Sequence, residues 1–156
     1  MVSTSMSMEE SIKRHSFFRE MGIGIDVSSI ARHAQHVTFE ADRFIFREGD
    51  DADAFYLITH GKVSLELSTA HRGRIIIQSI DEDDVLGISW LFPPYKWHFD
   101  ARALTLTRLI RIDAAQMRRM CDEDNAFGYK VLSKLASIVM KRLQAVRLQL
   151  LEMEEM

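Results

Sequence analysis

The chain has 156 residues, 47 % of them hydrophobic and 28 % charged, with a formal charge of −3. This is enough for one domain with its own core plus a projecting element, and the acidic balance excludes the concentrated Lys and Arg of a nucleic-acid-binding face. A single cysteine, Cys121, excludes an internal disulfide framework, and six scattered histidines without zinc-ligand spacing point away from a metal site.

Residues 1–8 lack the charged region and apolar core of a signal peptide and read as a disordered tail. No apolar run approaches the roughly 18–20 residues of a membrane span, so a cytoplasmic protein is expected. Residues 9–35 read as N-terminal helices. The first covers 9–21, with Ile12, Phe17 and Phe18 on one side. Gly22 and Gly24 separate it from the second, over 26–35, which Asp26 or Ser28 would cap.

From His36 the hydrophobic period shortens to two. Val37 and Phe39, Phe44 and Phe46, then Val63, Leu65 and Leu67 alternate with polar neighbours. Phe55-Tyr56-Leu57-Ile58 and Ile75-Ile76-Ile77 are denser runs, suited to strands buried on both sides. Turn signals stand between them at Glu48-Gly49-Asp50-Asp51, His60-Gly61-Lys62 and His71-Arg72-Gly73-Arg74. Residues 97–104 and 106–112 give two further strands. Short strands joined by tight turns over 36–112 predict an antiparallel sandwich or roll, and the lack of βαβ alternation disfavours a parallel dinucleotide-binding sheet.

Residues 113–156 are the C-terminal helices. Asp113 caps a helix reaching about Asp122, with Met117 and Met120 on one side, and Asp124 or Asn125 caps a long helix over about 126–153. Leu132, Val139, Val146 and Met153 recur every seven residues, with Leu135, Leu143 and Leu150 beside them. Such a helix extends about 42 Å at 1.5 Å per residue, more than a small domain needs to cover itself. Its second half is therefore expected to pair with a twin in a homodimer through Leu132, Leu135, Val139, Leu143, Val146 and Leu150. Lys141, Arg142 and Arg147 are assigned to its solvated faces.

Several segments resemble the cyclic-nucleotide-binding domain of Crp/Fnr type over about positions 37–150. Phe46-Arg47-Glu48-Gly49-Asp50 and Phe55-Tyr56-Leu57-Ile58-Thr59-His60-Gly61-Lys62-Val63 are similar to that family's turn and strand. Val85-Leu86-Gly87-Ile88-Ser89-Trp90-Leu91-Phe92, followed by Arg102-Ala103-Leu104-Thr105, resembles its phosphate-binding cassette and the next strand. The resemblance implies a mainly β fold with flanking helices, a double-stranded β-helix or jelly roll followed by a long C-terminal helix. It also implies that backbone N–H groups of the cassette cradle a cyclic phosphate, an Arg neutralises it and a Glu accepts from the ribose hydroxyl.

Here Gly87 fits, while Ser89, Trp90 and Leu91 supply the turn. The Glu position holds Ile88, which accepts no hydrogen bond. The Arg position holds Trp97, or His98 if the loop shifts by one. Burying a phosphodiester without a cation costs several kcal/mol, so ordinary cyclic AMP recognition is not expected. Strand alternation puts Trp97, Phe99 and Ala101 on the inner face and Lys96, His98, Asp100 and Arg102 on the outer. That outer face reads as solvated surface, or alternatively as an anion site rebuilt from Lys96 or His98, with Arg102 nearby.

Trp90, Phe92, Tyr95, Trp97 and Phe99 crowd ten residues around Pro93-Pro94. They read as a plug of the roll or an anchor for a protein partner, with a stacking platform for a flat ligand as the alternative. Asp50, Asp51 and Asp53, like Asp81-Glu82-Asp83-Asp84, lack the calcium-loop pattern and read as solvated turns. Cys121 has no histidine beside it, and Gly87-Ile88-Ser89-Trp90-Leu91 misses the second glycine of a nucleophile elbow, so no enzyme is expected. The acidic end, Glu152, Glu154 and Glu155, offers no recognition helix, and DNA binding is not expected.

The leading expectation is a regulatory or sensor module acting through a protein partner or a non-canonical ligand in the cassette. Two alternatives stand beside it. One is an accessory subunit of an NAD(P)-linked redox complex, binding NAD(P)H or docking to catalytic subunits. The other is a cyclic AMP (cAMP) receptor with a rebuilt phosphate site.

Overall fold

The computed structural model describes residues 6–22 and 24–155. Three short helices lead: α1 (Met8–Arg14), α2 (Ser16–Arg19) and α3 (Val27–Arg32). The helix expected over 9–21 is broken at His15, whose extended backbone caps α2 as its ring accepts a hydrogen bond from the Phe17 N–H at 3.2 Å. The helix expected over 26–35 stops at Arg32, because Ala34 already belongs to a strand. Asp26 is its cap, receiving the Ser29 N–H at 3.1 Å. Of the expected tail over 1–8, residues 1–5 lie outside the described residues, and Met8 opens α1 under a Ser7 cap.

Eight strands follow among the described residues: β1 (Ala34–Phe39), β2 (Phe44–Phe46), β3 (Ala54–His60), β4 (Lys62–Thr69), β5 (Gly73–Asp81), β6 (Val85–Leu86), β7 (Asp100–Ala103) and β8 (Thr107–Asp113). They pair antiparallel as two four-stranded sheets, β1-β8-β3-β6 and β2-β7-β4-β5. This is the jelly roll followed by a long helix that the alternation and the resemblance predict. The β3–β4 hairpin depends on Gly61. Its φ is 101°, and a Cβ there would stand 2.6 Å from the Leu106 carbonyl oxygen.

The core fills the roll with Phe46, Phe55, Leu57, Val63, Leu65, Leu109, Ile110 and Ile112, and extends to Phe17, Phe18, Ile30, Met117 and Phe127 on the helices. The run Ile75-Ile76-Ile77 departs from expectation. It lies on β5, an edge strand, and Ile76 is 59 % exposed. Three consecutive apolar residues there do not signal burial on both sides, since no strand among the described residues pairs with the outer edge. Ile77 stands as an extra residue in the β4–β5 ladder, between the Leu65–Gln78 and Glu66–Ile76 pairs.

At the C-terminal side, α4 (Ala114–Glu123) starts on an Asp113 cap and α5 (Asn125–Glu154) on an Asp124 cap. Phe127, Val131 and Leu135 form the buried stripe of α5, at the spacing of helix turns. Leu135, expected at a dimer interface, is 1 % exposed inside this chain's own core. It turns toward the roll in line with Phe127 and Val131. Leu132, Val139, Leu143 and Leu150 are exposed and Val146 is half-buried. Arg142 also departs from its expected solvated face. It is half-buried and donates to the Val85 carbonyl oxygen.

His15 holds the N-terminal helices against the roll. It is 4 % exposed, its Nε2 lies 3.1 Å from the Asp84 carbonyl oxygen, and Ser16 bonds Asp83 beside it. Burial pushes its pKa below the ordinary histidine value, though the Asp83 carboxylate and the Asp84 carbonyl oppose that shift. With Nδ1 accepting, the neutral ring donates from Nε2.

Candidate functional site

The cassette begins with β6, where Val85 and Leu86 pair with Leu57 and Tyr56 of β3. Gly87 follows at φ 82°, a conformation that Cβ-bearing residues rarely adopt. Ile88 then leads into a 3₁₀ turn over Ser89–Leu91, closed by the Leu91 N–H on the Ile88 carbonyl oxygen at 3.0 Å. Ile88 is half-buried and Ser89 is buried. Trp90 is fully buried and stacked on Phe55 at 4.8 Å, and its indole N–H finds no acceptor among the described residues.

Trp97 is, with His98, one of the two positions to which the resemblance assigns the phosphate-neutralising Arg. Its N–H donates to the Asp50 carbonyl oxygen at 3.0 Å and its own carbonyl oxygen accepts from the Gly49 N–H at 2.9 Å. Held this way on the Gly49–Ala52 turn, its ring points into the roll and is 2 % exposed. The ring stacks on Phe46 at 3.8 Å with an interplanar angle of 5°. It also lies so close to Gly87 that a Cβ there would come within 2.6 Å of Cζ3. Gly87 and Trp97 are thus shaped for each other, and the space between cassette and strand is filled by the chain's own indole.

The expected outer face, Lys96, His98, Asp100 and Arg102, proves heterogeneous. Lys96 pairs with Asp51, to which its backbone is also bridged, and His98 is exposed. Asp100 and Arg102, expected on a solvated surface, are drawn into an ionic network instead. Arg102 donates Nε and Nη2 to Glu66 Oε2 at 3.0 and 2.8 Å, and Nη1 to Asp42 at 2.8 Å. Arg74 bridges Glu66 and Asp100 at 3.1 and 3.0 Å, while the Glu48 N–H adds a bond of 2.7 Å to Asp100. Phe44 lies beneath Arg47 and Arg74, at 4.0 and 4.9 Å from its ring centre.

Glu66 is fully buried. Burial alone would raise its pKa, but the hydrogen bonds from Arg102 and Arg74 outweigh that and hold it below the usual carboxylate range. Arg102 is raised in turn, chiefly by its hydrogen bond to Glu66. Arg102 and Lys96 therefore each carry a carboxylate already. Cys121 is half-buried, and burial, with Asp122 and Asp124 adding to it, pushes its thiol up to about 11, which keeps it protonated.

Phe46, Glu66, Arg118 and Arg142 belong to the surroundings of the cassette without having been singled out as site residues from the sequence. Phe46 is signalled by its alternation with Phe44. Glu66 is legible only as a polar position between Leu65 and Leu67. Arg118 stacks over Tyr95 at 4.1 Å and donates to the Trp90 carbonyl oxygen at 2.6 Å. No local pattern announces such contacts, because they form between segments far apart in the chain.

A family model described as the cyclic nucleotide-binding domain matches residues 36–124. The cAMP-dependent protein kinase regulatory subunit of Dictyostelium discoideum is 23 % identical over 129 residues, which cover 73 % of this chain and 38 % of that protein. The chain thus spans well under half of that relative. Among solved structures, a protein from Geobacter metallireducens named for cyclic nucleotide binding superposes with a TM-score of 0.74 at 26 % identity, covering 92 % of this chain and 99 % of that one. A cyclic nucleotide-binding domain from Methylobacillus flagellatus reaches a TM-score of 0.78 at 15 % identity, covering 94 % and 85 % of the two chains. No helix among the described residues is long and apolar enough to cross a membrane.

Proposed function

This chain belongs to the cyclic nucleotide-binding domain family, and from that premise we propose that it is a regulatory, non-catalytic module whose cassette is closed by its own tryptophan. The observation that carries this reading is the Trp97 ring, stacked on Phe46 and fitted against Gly87. A cyclic nucleotide would have to expel that ring. Exposing a buried indole of roughly 150–250 Å² costs about 4–6 kcal/mol. The phosphate would then lie beside Ile88, with Lys96 and Arg102 already paired to carboxylates. Together these costs remove micromolar affinity.

The output in this reading is a contact with another protein. The outward face of α5 supports it: Leu143 and Leu150 are each 59 % exposed, and Leu132 and Val139 continue the same face. The first use of that face is a homodimer, and a further partner meets the assembled pair. Regulatory action in the family, exemplified by the kinase regulatory subunit among its relatives, fits a module that signals by contact.

Calorimetric titration of the full chain with cAMP, cGMP and NADPH tests the closed cassette. No heat is expected from either cyclic nucleotide up to millimolar concentration. A cAMP Kd tighter than about 10 μM, equivalent to about 7 kcal/mol, would overturn the proposal in favour of a receptor with a rebuilt phosphate site. NADPH binding would move the reading to an accessory subunit of a redox complex. Ile88→Glu combined with Trp97→Arg should create cAMP affinity if the register is right. Val139→Asp should halve the mass seen by light scattering, and an unchanged mass would remove the α5 homodimer.

A further inference from the structure

At the start of the cassette, α5 rises from the roll and leaves a crevice of about 230 Å³ between itself, α2, β5 and β6. Its apolar wall comprises Phe17, Ile80, Val85 and Ile138. Its polar lining is asymmetric. Glu20 is engaged by Lys134, Asp83 by Ser16 and Arg19, and Asp84 receives the Asp81 N–H. By contrast, Arg142 forms no ion pair among the described residues and has only the Val85 carbonyl oxygen as a hydrogen-bond partner. The Lys141 ammonium, the Gln78 amide and the Ser79 hydroxyl likewise carry no side-chain hydrogen bond or ion pair there.

A half-buried guanidinium that no carboxylate among the described residues contacts directly, with Asp84 acting on it only at a distance, is a costly arrangement unless something negative completes it. Here the cost is visible. Burial lowers the Arg142 pKa from its usual value, and the Asp84 carboxylate only opposes this. Two cations without an ion pair among the described residues and an apolar back wall meet at one crevice. We infer that this crevice binds a small organic anion by its carboxylate or phosphate group, with Arg142 and Lys141 taking the charge.

The site is separate from the closed roll, and its occupation requires nothing of Trp97. It nevertheless reaches the cassette, since the guanidinium that would take the anion also holds Val85, two residues before Gly87. An occupant would share that guanidinium with the backbone of β6.

The test is thermal unfolding of the full chain in inorganic phosphate and, separately, in succinate, each against sodium chloride of equal ionic strength. A rise in Tm of about 4 °C or more at 20 times the Kd is expected for phosphate, succinate or both, beyond any change in chloride. Lys141→Met leaves the Arg142–Val85 contact in place and should weaken the effect several-fold, while Arg142→Met should abolish it. The inference fails if chloride matches the rise, if neither anion produces one, or if it persists undiminished in Lys141→Met. The cAMP titration is independent, so loss of either conclusion leaves the other standing.

Discussion

On its inner side the sheet β2-β7-β4-β5 contributes Phe46, Val63, Leu65 and Ala101 to the core, with Phe46 stacked on the Trp97 ring. On its outer side the same strands present Asp100, Arg102, Glu66 and Arg74, with Phe44 beneath two guanidinium groups. Both sides bury side chains, yet by different chemistry. Inside, stacking and close fit suffice and no charge is present to titrate. Outside, two buried carboxylates are tolerable only because arginines from neighbouring strands reach over them. The two layers teach that burial in this roll extends beyond its apolar core, and that the second layer depends on protonation while the first does not.

The strongest way to break the comparison is Trp97→Ala. It removes the inner ring and should cost about 4 kcal/mol in urea unfolding, the range for deleting a buried aromatic. The loss should be the same at pH 7 and pH 4. A smaller loss would mean that Phe46 and Tyr56 collapse into the space.

Arg102→Met strikes the outer layer by leaving the Glu66 carboxylate with Arg74 alone. It should cost about 3 kcal/mol at pH 7. Glu66 has a folded pKa below its unfolded one, so its contribution is present above the unfolded carboxylate pKa and is lost as pH falls through the folded one. The penalty of Arg102→Met should therefore shrink at pH 4. A pH-independent penalty would assign Arg102 a packing role only.

A milder effect sharpens the same distinction at the N-terminal helices. The folded His15 pKa is lowered, so its contribution is complete above about pH 6.5 and declines as pH falls below it. His15→Gln should flatten the stability curve between pH 7 and pH 5, and an unchanged slope would place the titration elsewhere. Smallest of all, Lys96→Ala should change stability by less than about 0.5 kcal/mol, because its pair with Asp51 is exposed.

The inner layer was legible before any coordinates, and the outer one was not. Period-two alternation puts Trp97 and Ala101 on the same side as Phe46, and the glycine turns fix where strands reverse. The same alternation treats Asp100 and Arg102 as surface, because a charged residue facing away from the core is normally solvated. Only the pairing of β4 with β7, which brings Glu66 opposite Asp100, converts those charges into a buried network. Leu135 shows the same limit on a helix. Its spacing matches the outward seam, but contact with the roll decides which side it faces. Arg142 has no local signature, since its partner is fifty-seven positions away.

Both tryptophans of the chain, Trp90 and Trp97, lie in the cassette region. Each is buried against a phenylalanine, one on Phe55 and one on Phe46. Intrinsic fluorescence excited near the red edge of indole absorption therefore reports on this one site, free of background from any distant tryptophan. The molecule carries its own optical gauge of whether the roll is closed. A shift of the emission of the purified protein toward longer wavelength would register solvent reaching an indole, without a label.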